Sequence, residues 1–216
     1  MTVRLAVFDC DGTLVDGQAH VCDAMEGGFR AAGLPMPPRQ HILRGVGLSL
    51  PVAVRRLAPE GTPEQHELVV ETYKANFRAA RERGQFSEPM FAGIAGLLQR
   101  LHRSGWLLGV ATGKSDRGLA HCLTGHGIFD LFVTLQTADR HPSKPDPSML
   151  DAAMREAGAA PENTAMIGDT AFDMAMARAA GCRALGVAWG YHAAEALIEA
   201  GAEAVAQTPA ELAELI

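Results

Sequence analysis

The stretch Asp9-Cys10-Asp11-Gly12-Thr13-Leu14 follows directly after the apolar run Leu5-Ala6-Val7-Phe8. That run predicts a buried strand, so the stretch leaves the strand at its carboxyl end, where open α/β sheets bind their ligands. Gly12 allows a sharp turn because it has no Cβ atom, and side chains alternate along an extended backbone, so Asp9 and Asp11 point the same way. Two neighbouring carboxylates repel each other unless a cation or a proton lies between them. The pattern therefore predicts a Mg²⁺ site in which one aspartate attacks and the other transfers a proton.

The composition of the chain is that of an ordinary globular protein. Its 216 residues are 48% hydrophobic and 20% charged, enough for one large domain or for a core with a smaller insert. The net charge is −6 without a basic stripe, so we expect neither nucleic acid nor a membrane surface as a partner. The apolar segment before Asp9 is too short for a signal peptide or a membrane span. The four cysteines lack C-x-x-C or zinc-like spacing, which predicts free thiols and a cytoplasmic location.

Strand and helix patterns alternate over most of the chain. Short apolar runs at 3–8, 106–111, 131–135, 164–167 and 183–187 predict strands, and helical periodicity appears at 94–103, 115–125, 147–157 and 171–180. Such alternation is typical of an α/β protein with a Rossmann-like, doubly wound parallel sheet.

The interval between the first and second strands is far longer than a crossover needs. Its sequence predicts helices at 23–32, 50–57 and 64–83, separated by stretches rich in proline and glycine. We therefore predict an inserted, all-helical cap at residues 16–84 and an α/β core at residues 1–15 and 85–216. The alternative is a set of extra helices packed flat on the sheet.

Three further predicted strand ends carry polar side chains. Thr112-Gly113 offers a hydroxyl and a backbone amide to phosphate oxygens, or forms a plain strand-to-helix turn. Lys144 lies between Pro142 and Pro145 and provides an ammonium for phosphate or carboxylates, or is a solvated lysine of a loop. Asp169 and Asp173 could bind a hard cation, or Asp169 could serve as an N-cap.

A P-loop is excluded by the spacing around Gly113-Lys114-Ser115. A Walker motif has four residues between its two glycines, whereas Gly109 leaves only three before Gly113.

At this point the sequence resembles the haloacid dehalogenase superfamily of phosphatases, in the branch with a helical cap after the first strand. The resemblance covers essentially the whole chain and rests on four motifs in order. These are Asp9-Cys10-Asp11-Gly12-Thr13, Thr112-Gly113, Lys144-Pro145 and Gly168-Asp169-Thr170-Ala171-Phe172-Asp173. The segment Gly186-Val187-Ala188-Trp189-Gly190-Tyr191 resembles the phosphoglycolate phosphatase-like members.

The resemblance assigns roles to these positions. It implies that Asp9 attacks phosphorus to form an aspartyl-phosphate, and that Asp11 protonates the leaving oxygen and then activates water. It also implies that Thr112, the Gly113 amide and Lys144 hold and neutralise the phosphoryl group. The remaining positions form the expected Mg²⁺ site: Asp9, the backbone carbonyl of Asp11, Asp169, and Asp173 in support.

The second carboxylate distinguishes this chain from two relatives. Dehalogenases of the superfamily lack an acid/base carboxylate where Asp11 stands, and phosphonate hydrolases carry alanine there. The chain departs from the common phosphatase pattern at Gly17, where serine or threonine is usual, which bears on cap closure. In the cap, Arg44 begins the glycine-rich loop Arg44-Gly45-Val46-Gly47-Leu48-Ser49 and is a candidate for pairing with a substrate carboxylate or second phosphate, or is an exposed arginine beside a turn.

The sequence thus predicts a Mg²⁺-dependent phosphatase acting on a small phosphorylated metabolite, with a phosphoglycolate-like acid as the first candidate. A sugar-phosphate mutase and a pyrophosphatase remain alternatives on the same machinery. A non-catalytic sensor on the same fold is a third alternative, although every required residue type is present. We expect a monomer or a homodimer.

Overall fold

The computed structural model describes residues 2–84 and 86–216. Within them, six strands form one parallel sheet in the order β3-β2-β1-β4-β5-β6. The chain builds outward from β1 in one direction and then returns to build outward in the other, so a topological switch point lies between β1 and β4. This is the predicted doubly wound α/β architecture. The strands are β1 Arg4–Phe8, β2 Trp106–Thr112, β3 Phe132–Thr137, β4 Thr164–Gly168, β5 Arg183–Val187 and β6 Ala204–Ala206.

Helices cover both faces of the sheet because the central strand is apolar on both. In β1, Ala6 and Phe8 belong to one buried cluster, and Leu5 and Val7 belong to the cluster on the opposite face. Side chains from α5, α6 and α10 complete the first cluster, and those from α7, α8 and α9 complete the second. The helices are α5 Ile94–Arg103, α6 Asp116–Gly125, α7 Ser148–Ala157, α8 Ala171–Ala179, α9 Ala194–Glu199 and α10 Pro209–Leu215.

Four helices follow β1 before the chain returns to the sheet. They bury apolar side chains such as Phe29, Val54 and Val69 against one another. This cluster is separate from the two clusters on the faces of the sheet. These four helices therefore share a small core of their own, and we keep the name cap for them. The predicted boundaries at 15/16 and 84/85 stay a prediction, and residue 85 lies outside the described residues. The helices are α1 Gln18–Ala31, α2 Arg39–Leu43, α3 Leu50–Leu57 and α4 Pro63–Glu82.

The cap differs from the sequence prediction at its start. Helix α1 begins at Gln18 rather than at 23, and α2 was not predicted. Gly17 offers no side-chain cap, and the first turn of α1 holds no acidic residue, so the usual start signals are missing. Helix α2 has only five residues, too few for a periodicity to show.

The cysteines and the hydrophobicity of the helices bear on two further expectations. All four cysteines are free and buried, and the Sγ atoms of Cys10 and Cys122 lie 3.8 Å apart. Among the described residues, no helix combines the length and the apolar character that a bilayer crossing requires.

Candidate active site

The carboxyl ends of three neighbouring strands bring the predicted site residues to one edge of the sheet. Strand β1 lies between β2 and β4, and all three run parallel. Asp9 follows β1 directly, Thr112 ends β2 and Asp169 follows β4. The Asp9 amide donates to the Ile167 carbonyl at 2.9 Å, which fixes the Asp9 backbone against β4. The site therefore lies beside the switch point, where doubly wound sheets bind ligands.

Three buried carboxylates meet at this edge. Asp9, Asp169 and Asp173 each offer an oxygen within 4.8 Å of the others, and all three are fully buried. Asp9 Oδ2 is a buried oxygen with no hydrogen-bond partner among the described residues. Burial raises the pKa of the Asp9 carboxyl to about 7, and the charges of Asp173 and Asp11 add to this despite Lys144. Carboxylates crowded in this way favour a bound cation, and their hard oxygens match what Mg²⁺ prefers.

Asp169 is held rigidly from two sides. Its Oδ1 accepts a hydrogen bond from the Thr13 hydroxyl at 2.8 Å, and its Oδ2 accepts one from the Tyr191 amide at 2.9 Å. Two glycines make this approach possible. Gly12 has a φ of +82°, and a Cβ there would lie 2.2 Å from Asp169 Oδ2, whereas a Cβ at Gly190 would lie 2.1 Å from the Cβ of Asp169. A side chain at either glycine would displace Asp169.

The segment after β5 fixes the loop that follows β1 as well as Asp169. The indole of Trp189 donates to the Thr13 carbonyl at 3.1 Å, and the Tyr191 hydroxyl accepts from the Gly17 amide at 3.2 Å. From the sequence, Trp189 and Tyr191 stood out only through a family resemblance. The structure shows that they link the strand ends to the first residues of the cap.

Lys144 provides the positive charge at the carboxylate cluster. Its Nζ lies 3.0 Å from Asp9 Oδ1 and 2.6 Å from Asp173 Oδ1, and the side chain is fully buried. Burial opposes the charge on Lys144, but Asp173 and Asp9 together outweigh it and raise the pKa of the ammonium. Asp173 is fixed in turn, because its Oδ2 accepts from both the amide and the hydroxyl of Thr170. Both carboxylate oxygens of Asp173 thus accept hydrogen bonds from protein groups: Oδ1 from Lys144 and Oδ2 from Thr170.

Thr112 and Gly113 lie where β2 ends, beside the end of β1. Thr112 is buried, and its hydroxyl accepts from the Lys114 amide at 3.3 Å. Gly113 makes a close approach to the glycine-rich loop of the cap, since a Cβ there would lie 2.5 Å from the Leu48 carbonyl oxygen. The cap loop is therefore seated on the predicted phosphate-binding turn.

Asp11 has partners that the sequence analysis missed. Its Oδ1 lies 3.0 Å from Lys114 Nζ, and the same ammonium lies 2.6 Å from Glu88 Oε1. Burial opposes the charge on Lys114, but Asp11 and Glu88 outweigh it and raise the pKa of the ammonium. Lys114 was considered only as part of a P-loop pattern, and Glu88 not at all. The position of Lys114 two residues after Thr112 was the available signal.

Arg44 lies away from this cluster. Its side chain is exposed, and its contact with the core is through its backbone carbonyl, 3.2 Å from Nε2 of His192. Other cationic side chains of the cap line a cavity between the cap and the end of β2. Arg44 is not among the described residues that line this cavity. Its role in substrate binding gains no support from this geometry.

A cavity of about 460 Å³ opens between the cap and the end of β2. It reaches Asp11 and Gly113 at its base, and its walls come from α1, the glycine-rich loop, α4 and the start of α6. A compound bound there would thus have one end at the predicted acid/base residue and the other against the cap.

A family model described as haloacid dehalogenase-like hydrolase matches residues 6–187. "Probable phosphatase IndB" of Dickeya dadantii is 35% identical over 211 residues, which cover 96% of this chain and 91% of that protein. A phosphoglycolate phosphatase of Vibrio vulnificus is 27% identical over 220 residues, covering 99% of this chain and 96% of that protein. Among solved structures, a haloacid dehalogenase-like family hydrolase from Streptococcus pneumoniae superimposes with a TM-score of 0.85 at 26% identity, covering 99% and 98% of the two chains.

Proposed function

Because the chain belongs to the haloacid dehalogenase-like hydrolases and its homologues are phosphatases, we propose that it is a Mg²⁺-dependent phosphatase of a small phosphorylated metabolite. We propose further that the reaction passes through an aspartyl-phosphate on Asp9 and that a phosphoglycolate-like acid is the first substrate to test. The observation that carries the proposal is the buried, unpartnered Oδ2 of Asp9, whose other oxygen lies 3.0 Å from the Lys144 ammonium.

The residues present fit a magnesium ion. Asp9 and Asp169 would hold it together with the backbone carbonyl of Asp11, while Asp173 supports the site through Lys144. When bound, the ion would neutralise the crowded carboxylates and offset the negative charge of the phosphoryl group. The Lys144 ammonium contacts two of these carboxylates, Asp9 and Asp173, and burial keeps the pKa of Asp9 high.

In the first half of the reaction, a carboxylate oxygen of Asp9 attacks phosphorus and the bond from phosphorus to the leaving oxygen breaks. Lys144 neutralises the charge on Asp9 and on the incoming phosphoryl group. Thr112 and the Gly113 amide hold phosphoryl oxygens, and Asp11 donates a proton to the leaving oxygen.

In the second half, Asp11 takes a proton from water, and the water oxygen attacks the phosphorus of the aspartyl-phosphate. The bond from phosphorus to Asp9 breaks, which releases phosphate and restores the Asp9 carboxylate. Lys114 and Glu88 support both halves by holding Asp11 in position. A cytoplasmic location and a monomeric or homodimeric state stay predictions.

Phosphate release from phosphoglycolate and from 4-nitrophenyl phosphate, with Mg²⁺ and with a chelator, tests the proposal. We expect release only with Mg²⁺, a phosphoenzyme that hydroxylamine cleaves, and a loss of at least about 10³-fold in Asp9→Asn. Asp130→Asn is the matched control, because Asp130 is exposed and lies just before the amino end of β3, at the edge of the parallel sheet opposite the site. Undiminished turnover in Asp9→Asn would overturn the mechanism, and isomerisation of a sugar phosphate without release would favour a mutase.

A further inference from the structure

We infer that the substrate is larger than a two-carbon acid, and that its leaving group carries an apolar ring and a second anionic group bound by arginines of the cap and of α6. This inference rests on the proposed function and specifies the substrate class of the same site. It keeps the acidic character of a phosphoglycolate-like compound and adds a body between the two anionic ends.

The cavity is large for a two-carbon acid. Its volume of about 460 Å³ lies within the range of about 300–1,000 Å³ that holds drug-sized ligands. It corresponds to about fifteen water molecules at about 30 Å³ each. A two-carbon acid with its phosphate would leave most of this space to water, so the cavity matches a longer compound.

The cap contacts the core around this cavity. The Ser49 amide donates to the Ser143 hydroxyl at 2.8 Å, and the backbone at Leu48 lies against Gly113. The glycine-rich loop is therefore seated on the core. The volume of the cavity therefore belongs to an arrangement in which cap and core are in contact.

Aromatic and aliphatic side chains form an apolar wall of the cavity. Tyr73 and Phe77 of α4 stack with their ring centroids 4.7 Å apart, and both line the cavity. Met25 of α1 and Leu48 and Leu50 of the loop and α3 line it as well. Aromatic and aliphatic walls bind apolar rings and gain little from a short acid.

Cationic side chains from α4 and α6 also line the cavity. Lys74, Arg78 and Arg81 follow one another at helical spacing on α4, and Arg117 reaches the cavity from α6. Lys74 pairs with Glu71 at 2.9 Å. Across residues 2–84 and 86–216, no carboxylate lies within 4.0 Å of Arg78, Arg81 or Arg117.

The guanidinium of Arg81 can donate a further hydrogen bond. Its Nε is buried without a hydrogen-bond partner among the described residues, and its guanidinium lies 4.5 Å from the ring centroid of Phe86. Asp139 also lines the cavity, but its Oδ2 accepts from the Asp116 amide at 2.8 Å. In a protein of net charge −6, unpaired arginines around one cavity favour an anionic ligand group.

Four alkyl phosphates separate the ring from the second anion: ethyl phosphate, phosphoglycolate, benzyl phosphate and 4-(phosphonooxymethyl)benzoate. All leave as alkoxides, so differences in kcat/KM report binding of the leaving group. We expect the carboxylated benzyl compound to exceed phosphoglycolate by about tenfold or more. Arg78→Gln and Arg81→Gln should lower kcat/KM for the carboxylated benzyl compound by about tenfold more than for the other three compounds, which have no carboxylate beyond a ring.

Arg100→Gln is the matched control, because Arg100 lies on α5 and pairs with Glu214 outside the cavity. Thermal unfolding of each variant checks that the fold is intact. Phosphate release with phosphoglycolate preferred over the benzyl compounds would overturn this inference and leave the proposed function standing. Arginine variants that lower all four values equally would also overturn it. No release from any of the four would overturn the proposed function, and the inference with it.

Discussion

Lys114 Nζ lies 3.0 Å from Oδ1 of Asp11, although Lys114 lies in the turn after β2 and Asp11 in the loop after β1. The same ammonium lies 2.6 Å from Glu88, in the segment where the chain returns from the cap to the core. The predicted acid/base residue is thus tied both to the turn after β2 and to the end of the cap. One buried ammonium shared by two carboxylates makes the position of Asp11 depend on a residue far away in sequence.

Glu88→Gln should weaken this arrangement because it removes one of the two carboxylate charges that hold the Lys114 ammonium. Removing one charge of a buried pair costs about 3 kcal/mol of unfolding free energy, and we expect kcat to fall because Lys114 and Asp11 lose a fixed geometry. Urea unfolding and steady-state kinetics measure the two effects. Glu203→Gln is the control, since Glu203 pairs with Arg183 at an exposed position. Equal stability and activity in both variants would contradict the role given to Glu88.

Asp11→Asn should separate the two halves of the reaction. With 4-nitrophenyl phosphate the leaving group needs no proton, so Asp9 can still be phosphorylated, whereas the water of the second half has lost its base. We expect a burst of nitrophenolate, an accumulated phosphoenzyme and a steady-state rate lower by about 10²–10⁴-fold. Rapid mixing and phosphoenzyme trapping measure this. A variant that turns over at the normal rate would exclude Asp11 as the base.

Stabilisation by Mg²⁺ should depend on pH because Asp9 must lose its proton to bind a cation. The pKa of Asp9 is raised from 3.8 to about 7 by burial. Between these values the folded state binds more protons than the unfolded state, so metal-free stability falls as the pH rises toward 7. Above pH 7 the ionised carboxylate favours the ion instead.

We therefore expect Mg²⁺ to raise Tm more at pH 8 than at pH 6, measured by thermal unfolding with and without the ion. The difference should shrink in Asp9→Asn, which has no proton to lose in this range. Equal shifts at both pH values in the unmodified protein would contradict the assignment of Asp9 as a ligand.

Gly113→Ala should unseat the cap loop. The new Cβ would lie 2.5 Å from the Leu48 carbonyl oxygen and 2.9 Å from that of Gly47, and backbone cannot yield as a side chain can. We expect kcat/KM to fall by about 10–100-fold through misplacement of the phosphate-binding turn. Gly96→Ala on α5 is the control, because nothing lies within 4 Å of its added Cβ. Full activity in Gly113→Ala would show that the loop moves freely.

The fold and the centre of the site could be predicted from the sequence because both follow from local sequence patterns. Apolar runs mark strands, parallel strands end at one edge, and Asp9, Lys144 and Asp169 therefore converge there. What local pattern does not contain is pairing at a distance. Glu88 and Lys114 are 26 residues apart and their contact depends on how the cap returns to the core. The three residues of β6 offered no periodicity, and the short helices α9 and α10 were likewise not predicted.

The side-chain direction of Arg44 is a second feature that local sequence patterns do not predict. Arg44 was a candidate for substrate binding at the start of the glycine-rich loop, but that loop contacts Gly113 through the backbone carbonyls of Gly47 and Leu48. The direction of a side chain on such a loop depends on turns that the sequence pattern does not specify. The arginines that line the cavity come instead from α4, where helical spacing on one face could have singled them out.

The contact between Gly113 and the backbone of Leu48 also bears on how proteins of this architecture can change their preferences over evolution. A cap transplanted from a relative would bring its own loop, and that loop would have to fit against residue 113 of the recipient. The unit that can be exchanged is therefore larger than the inserted helices: it includes the turn after β2. Lineages that acquire a new substrate by remodelling the loop would be expected to keep glycine at 113, or to alter both positions together.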